Sequence, residues 1–158
     1  MAKRSPERTV RLSFLDRIIE DSEPRSWSDS AQRMRRAVRR DLEWLLNTRQ
    51  TPVPVLEGQD HLDASLFNYG LPDISSMSAD SPDSPRQLAR DVRLAIQRYE
   101  PRLSGVRVTI SEDEDNPLKR ELRFRVEATL EMDPNPEKIV FDTVLEVGSG
   151  AFLIEGGG

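Results

Sequence analysis

The chain has 158 residues, enough for one ordinary domain, and its 36% hydrophobic and 32% charged content predicts a modest core with long exposed segments. A formal net charge of −5 argues against nucleic acid or an acidic membrane as the partner of the whole molecule. No cysteine is present and His61 is the single histidine, which excludes disulfides, thiolate zinc sites, cysteine nucleophiles and histidine-rich metal centres. No apolar run has the length to span a bilayer, and the charged stretch Met1 to Arg8 leads into no signal-peptide core, so a cytoplasmic protein is expected.

Met1 to Arg8 reads as a basic arm. Val10 to Ile19 is apolar enough to dock on this domain or on another protein; Leu12, Leu15 and Ile19 fit a short helix, and a mixed extended-to-helical segment fits equally. The next element is a helix capped by Ser28 or Ser30 and running to about Leu46, with Ala31, Met34, Val38, Leu42 and Leu45 on its buried face. Trp44 at the flank is expected to help anchor the seam. The outer face carries Arg33, Arg35, Arg36, Arg39 and Arg40, interrupted by Asp41 and Glu43. Such a face either reads an acidic partner or is simply solvated. Nucleic acid is disfavoured, because no aromatic stacking platform accompanies the arginines.

From Asn47 to Asp83 the periodicity stops. Thr51-Pro52-Val53-Pro54 is predicted to be extended, Tyr69-Gly70-Leu71-Pro72-Asp73 has turn chemistry, and Ser75 to Pro85 is a polar linker. A connection this long carries function or wraps the domain. His61 within it reads as a surface or hydrogen-bonding residue.

A second amphipathic helix follows, with Leu88, Val92, Ala95, Ile96 and Tyr99 on one face. Ser84 is its expected N-cap, with Pro85 at the first helical position and Gln87 completing a capping box. Pro101 lacks a donor and forces Glu100 out of helical geometry, so the helix is predicted to end near Tyr99. Val106, Val108 and Ile110 then alternate with Arg107 and Thr109 as a half-buried strand, here bounded at Gly105 to Ser111. Glu100 and Arg102 thus flank a stiff corner. They either meet charges on a partner or brace the corner from within; under the first reading Glu100→Ala leaves the isolated domain folded.

Strands at Leu122 to Leu130, Ile139 to Val147 and Ala151 to Ile154 complete an antiparallel meander, with an acidic connection, Glu112 to Asp115, after the first strand and a Gly148-Ser149-Gly150 reversal before the last. The fold class is α+β: N-terminal helices packed on a C-terminal antiparallel β-meander in a single domain.

Six stretches in this order carry a resemblance: LSFLDRI at Leu12 to Ile18, RRDLEWLLNTR at Arg39 to Arg49, YGLPD at Tyr69 to Asp73, IQRYEPRL at Ile96 to Leu103, the strand Leu122 to Leu130, and Phe141-Asp142-Thr143 with Ser149-Gly150. Together they resemble the TssE family of type VI secretion baseplate subunits, among the contractile-phage baseplate wedge proteins often labelled lysozyme-like. The resemblance implies a wedge domain over residues 27–154; an arm and docking segment over 1–26 and a tail over 155–158 are expected to flank it. It implies that Glu100, Pro101 and Arg102 contact a core bundle of other wedge subunits; Arg36, Arg39 and Arg40, from the basic helix face itself, are the expected second interface. The resemblance further implies that an exposed sheet edge templates the first sheath ring by accepting a strand. The implied partners are TssF, TssG and TssK with the sheath pair TssB and TssC; no nucleic acid, membrane insertion, cofactor or metal is implied.

The competing expectation is glycan hydrolysis with Glu100 as acid and the Glu112 to Asp115 cluster as second carboxylate. Arg98 and Arg102 beside Glu100 suit an ionised carboxylate rather than an acid. Aromatic content of 6% is poor for stacking sugars. The acidic cluster also lacks the spacing of an EF-hand loop.

Overall fold

Two long helices and four strands are built by the periods written in the sequence. A computed structural model describes residues 14–19, 24, 26–53, 58–63, 65–73, 83–111, 121–146 and 148–156. The elements are α1 (Phe14–Ile19), α2 (Trp27–Asn47), the short α3 (Asp60–Asp63), a 3-10 turn (Leu66–Asn68), α4 (Ser84–Tyr99), β1 (Leu103–Ser111), β2 (Glu121–Leu130), β3 (Glu137–Glu146) and β4 (Ala151–Glu155). The arm at 1–8, Leu12, most of the linker between 74 and 82, the acidic stretch 112–115 and the last two glycines lie outside the described residues. β4 includes Glu155, one residue beyond the expected domain end.

The strands form one antiparallel sheet in the order β1-β2-β3-β4. Registers Val108↔Val126↔Phe141 and Ile110↔Phe124↔Thr143↔Ile154 put the apolar residues of all four strands on one face. Both long helices cover that face, α4 over β1 and α2 over β4 and α4. The core is one cluster that includes Val38, Leu42, Leu45, Leu88, Val92, Ile96, Phe124, Phe141 and Phe152. Truncating a fully buried aromatic such as Phe124 to alanine removes on the order of 3–5 kcal/mol. The opposite face carries the other register, with Arg125 paired to Asp142 at 2.9 Å and Arg123 to Glu155 at 3.5 Å.

β1 enters the sheet through a bulge. Its pairing shifts between Ser104 and Arg107, so Gly105 and Val106 span the single residue Ala128 of β2. Gly105 sits at φ 61°, the left-handed conformation that such a bulge assigns to glycine.

The caps differ from expectation. Ser26, not Ser28 or Ser30, caps α2 by accepting from Asp29 N at 3.2 Å. Ser30 is instead buried one turn in, its hydroxyl donating to Trp27 O at 2.8 Å. Asp83 precedes α4 without a side-chain cap, and Ser84 is already helical. The capping box does not form, because Gln87 donates to Asp91 one turn along, at 2.9 Å.

Candidate functional site: the corner and its brace

α4 ends where proline requires. Glu100 N still donates to Ile96 O at 2.9 Å, and Glu100 itself has left helical geometry at φ −121°, ψ 77°. Leu103 N then donates to Glu100 O at 3.0 Å, and Glu131 N to Arg102 O at 2.8 Å. The corner backbone is thereby tied to both the helix and the end of β2.

Its side chains point inward. Glu100 is 4% exposed. Arg102 forks over it, Nε donating to Oε1 and Nη2 to Oε2, both at 2.5 Å. The same Nη2 donates to Asp41 Oδ2 on α2 at 2.6 Å. Asp41 Oδ1 in turn accepts from Arg40 Nε and Nη2 at 3.0 and 2.8 Å. Two carboxylates and two guanidiniums thus form a chain with no net charge, which is how such groups are kept in a half-dry place. Burial alone would push the Arg102 pKa down, but its hydrogen bonds to Glu100 and Asp41 and their charges outweigh that and hold it above its ordinary value. The second of the two expected roles for these charges, an internal brace, is the one the geometry displays. Pro101 is exposed at the tip, and Arg98 is exposed on α4.

The network ends at Trp44. This indole is 59% exposed, with the Arg40 guanidinium 5.1 Å from its ring centroid. It does not anchor the seam, since its position on α2 faces away from the sheet. Tyr69 stands near the other end, edge-on to Tyr99 with ring centroids 5.2 Å apart. Burial raises the Tyr69 phenol's pKa, and the negative charges of Asp41 and Glu100 push it the same way. Tyr99 donates its hydroxyl to Ser65 O at 3.2 Å.

Gly70 explains the turn beside Tyr69. At φ 109° it passes so close to the end of α2 that a Cβ would stand 2.4 Å from Thr48 O. That approach lets Leu71 N donate to Thr48 O and Gln50 N to Leu71 O, each at 2.9 Å, while the Leu71 side chain is fully buried.

The arginine face of α2 is largely spoken for. Arg33 pairs with Asp29, and Arg35 reaches Glu137 of β3 at 2.6 Å. Arg39 donates to Ile154 O at 2.7 Å. Arg36 is exposed. Asn47 and Arg49 continue the theme at the end of α2: Asn47 exchanges two 2.9 Å hydrogen bonds with the backbone of Phe152, and Arg49 donates to Gly150 O at 2.6 Å. The carbonyls of residues 150, 152 and 154 and the Phe152 N–H are thereby occupied along β4.

A matching family model spans residues 32–135, more than half the chain, and is described as baseplate wedge protein gp25. The chain belongs to that family. Membership makes it a structural baseplate component, and the corner, Asp41, Trp44 and the Gly70 turn all fall within the matched span. One chain of a solved structure, "The baseplate complex from the type VI secretion system", aligns with a TM-score of 0.46 at 22% identity, covering 68% of this chain and 90% of that one. No curated protein matches.

As a glycosidase acid Glu100 is badly placed. Both its oxygens are held by Arg102, and neither is left to protonate a leaving group. The other proposed carboxylates, Glu112 to Asp115, lie outside the described residues, and His61 is simply exposed on α3. Sequence reasoning missed Asp41 as the third member of the brace. The available signal was an acid, Asp41, directly after Arg39 and Arg40 on a basic helix face.

Proposed function

We propose that this wedge-family chain serves in a type VI secretion baseplate, where it joins other wedge subunits through its corner and templates the first ring of the contractile sheath. The observation that carries this reading is a rigid, internally neutralised corner with an exposed Pro101 at its tip and an exposed Trp44 beside it. An exposed indole with the Arg40 guanidinium over its ring has the make-up of an interface hot spot. Glu100 and Arg102 contribute by holding that surface in shape, with the part-exposed edge of Arg102 available to a partner carboxylate. Arg36, Arg39 and Arg40 form the second contact. The partners are TssF, TssG and TssK at the corner and TssB and TssC at the sheet edge, on the cytoplasmic side of the inner membrane. No helix among the described residues is long and apolar enough to cross a membrane. The chain carries out no catalytic step.

The test is affinity purification of the tagged protein from its native host, with bound proteins identified by mass spectrometry, beside Trp44→Ala. Wild type is expected to bring down wedge and sheath subunits. The variant, with an unchanged thermal midpoint, is expected to lose the wedge subunits. Wild-type protein that brings down neither class sinks the secretion reading, and full wedge recovery by the variant removes Trp44 from the interface.

A further inference from the structure

The two edges of the sheet are not equivalent. On β4, Asn47 takes the Phe152 N–H and carbonyl and Arg39 the Ile154 carbonyl, with Arg49 on Gly150 O just before the strand, so the α2 segment covers that edge. β1 is paired on one side only, by β2. Among the described residues nothing hydrogen-bonds the other side of β1 between Arg107 and Ile110.

Beside that open edge runs a groove of about 300 Å³ lined by Arg86, Ala89, Arg90 and Arg93 of α4 and by Val108 and Ile110 of β1. Arg86, Arg90 and Arg93 stand at i, i+4 and i+7, hence on one helix face. Among the described residues none of the three donates a hydrogen bond or closes an ion pair. The nearby Asp91 accepts from Gln87 and feels Arg90 only through its field. Arg107 is exposed on the other face of the same strand. In a molecule of net charge −5, four cations therefore gather around one unpaired strand edge with an apolar floor.

We infer that the open edge of β1, with the arginine groove beside it, accepts an extended acidic segment of a partner protein as a fifth strand. Main-chain bonds would come from the unpaired edge, carboxylates would meet Arg86, Arg90 and Arg93, and their aliphatic stems would cover Val108 and Ile110. Charge complementarity selects the occupant. A nucleic acid fits less well, since the floor offers no aromatic ring for a base and the rest of the chain repels a long polyanion. This deepens the strand-accepting part of the proposed function and rests on it.

The probe is a fluorescein-labelled (Val-Glu)4 peptide, titrated against the full chain and followed by anisotropy. Three comparison peptides accompany it: (Val-Gln)4, (Val-Glu)4 N-methylated at alternate residues, and a ten-residue thymidine oligonucleotide. Binding of (Val-Glu)4 is expected to be at least about tenfold tighter than each of these, a difference of roughly 1.4 kcal/mol. Arg86→Ser/Arg90→Ser/Arg93→Ser is expected to lose at least about tenfold in affinity, the same factor, with its thermal midpoint retained. Equal binding of the Gln peptide, or an unaffected triple variant, overturns the arginine assignment. Equal binding of the methylated peptide overturns strand addition, and equal binding of the oligonucleotide overturns the choice of partner. A tenfold gain on replacing Glu112 to Asp115 by their amides would make the chain's own acidic stretch the occupant and overturn the inference likewise. Sheath subunits recovered equally by wild type and triple variant would end the groove proposal while leaving the baseplate reading intact; wild type that recovers neither wedge nor sheath subunits would end that reading whatever the peptide does.

Discussion

The corner and the α4/β1 groove are both rich in arginine, yet they solve opposite problems. At the corner, Arg102 and Arg40 share two carboxylates, and Glu100 is almost wholly buried behind them. In the groove, Arg86, Arg90 and Arg93 line an apolar floor with no carboxylate bonded to them among the described residues. Charge that is balanced within the chain holds shape, whereas charge left unbalanced at an open edge is available for recognition. A count of arginines does not separate the two. Their partners do.

The sharpest way to break the corner is to remove one member of its network. Glu100→Ala strips Arg102 of its bidentate partner in a place that excludes most water, and loss of one member of such a pair costs about 3–5 kcal/mol. The full figure applies only to a fully buried pair; Arg102 keeps Asp41 and some solvent, so the expected loss is about 3 kcal/mol in urea unfolding. A stability within 0.5 kcal/mol of wild type, roughly the scatter of an ordinary surface substitution, would mean that the brace is dispensable and that Glu100 faces a partner after all.

The next effect tests the turn that supports the brace. Gly70→Ala demands both a left-handed backbone from alanine and room for a Cβ 2.4 Å from a backbone oxygen. Strain of that kind costs on the order of 1–3 kcal/mol. Native-state hydrogen exchange at Leu71 and Gln50 should rise with it, since both amides depend on this close approach. Unchanged protection there would show that the segment can back away from α2 without loss.

A pH experiment sharpens the comparison from the side of charge. The folded state holds the Tyr69 proton more tightly than the unfolded chain does, first through burial and then through Asp41 and Glu100. Its contribution to stability is therefore complete below the ordinary phenol value of 10.0 and is lost as pH rises through the folded-state value. Most of the cations here are arginines, which stay charged throughout that range. Stability should hold to about pH 9 and fall above pH 10, and Tyr69→Phe should flatten that fall. An identical alkaline profile in the variant would remove Tyr69 as its source.

Much of the architecture was legible in advance because it is periodic. The apolar spacing from Ala31 to Leu45 and from Leu88 to Tyr99, and the alternation along the C-terminal half, place both long helices and all four strands, although β1 and β3 begin earlier, at Leu103 and Glu137, than their expected starts at Gly105 and Ile139. The end of α4 at Tyr99 was legible for a different reason: Pro101 acts on its immediate neighbours. The direction of Glu100 was not legible, because it depends on Asp41, which only folding brings near. Asn47 and Arg49 read as the tail of a helix, and their work on the β4 backbone appears only once Phe152 lies alongside. Local rules likewise misassigned both caps, since several serines and one glutamine offered near-equivalent choices and packing decided among them. Trp44 is the instructive failure: large aromatic residues beside a buried stripe are usually drawn in, yet this one is left out in water over a braced arginine.

The smallest expected effect is the one that separates the two regions best. Arg90→Gln removes a cation with a like charge one turn away at Arg86, and like-charged pairs at this spacing oppose the helix by a few tenths of a kcal/mol. The isolated domain should therefore keep its stability or gain about 0.2–0.5 kcal/mol, although a buried-brace arginine such as Arg102 would lose several times that. A loss above about 1 kcal/mol, beyond what a surface substitution ordinarily does, would place Arg90 in an internal contact like those of the corner. The groove would then be another brace, and its open charge would be gone as an argument for a partner.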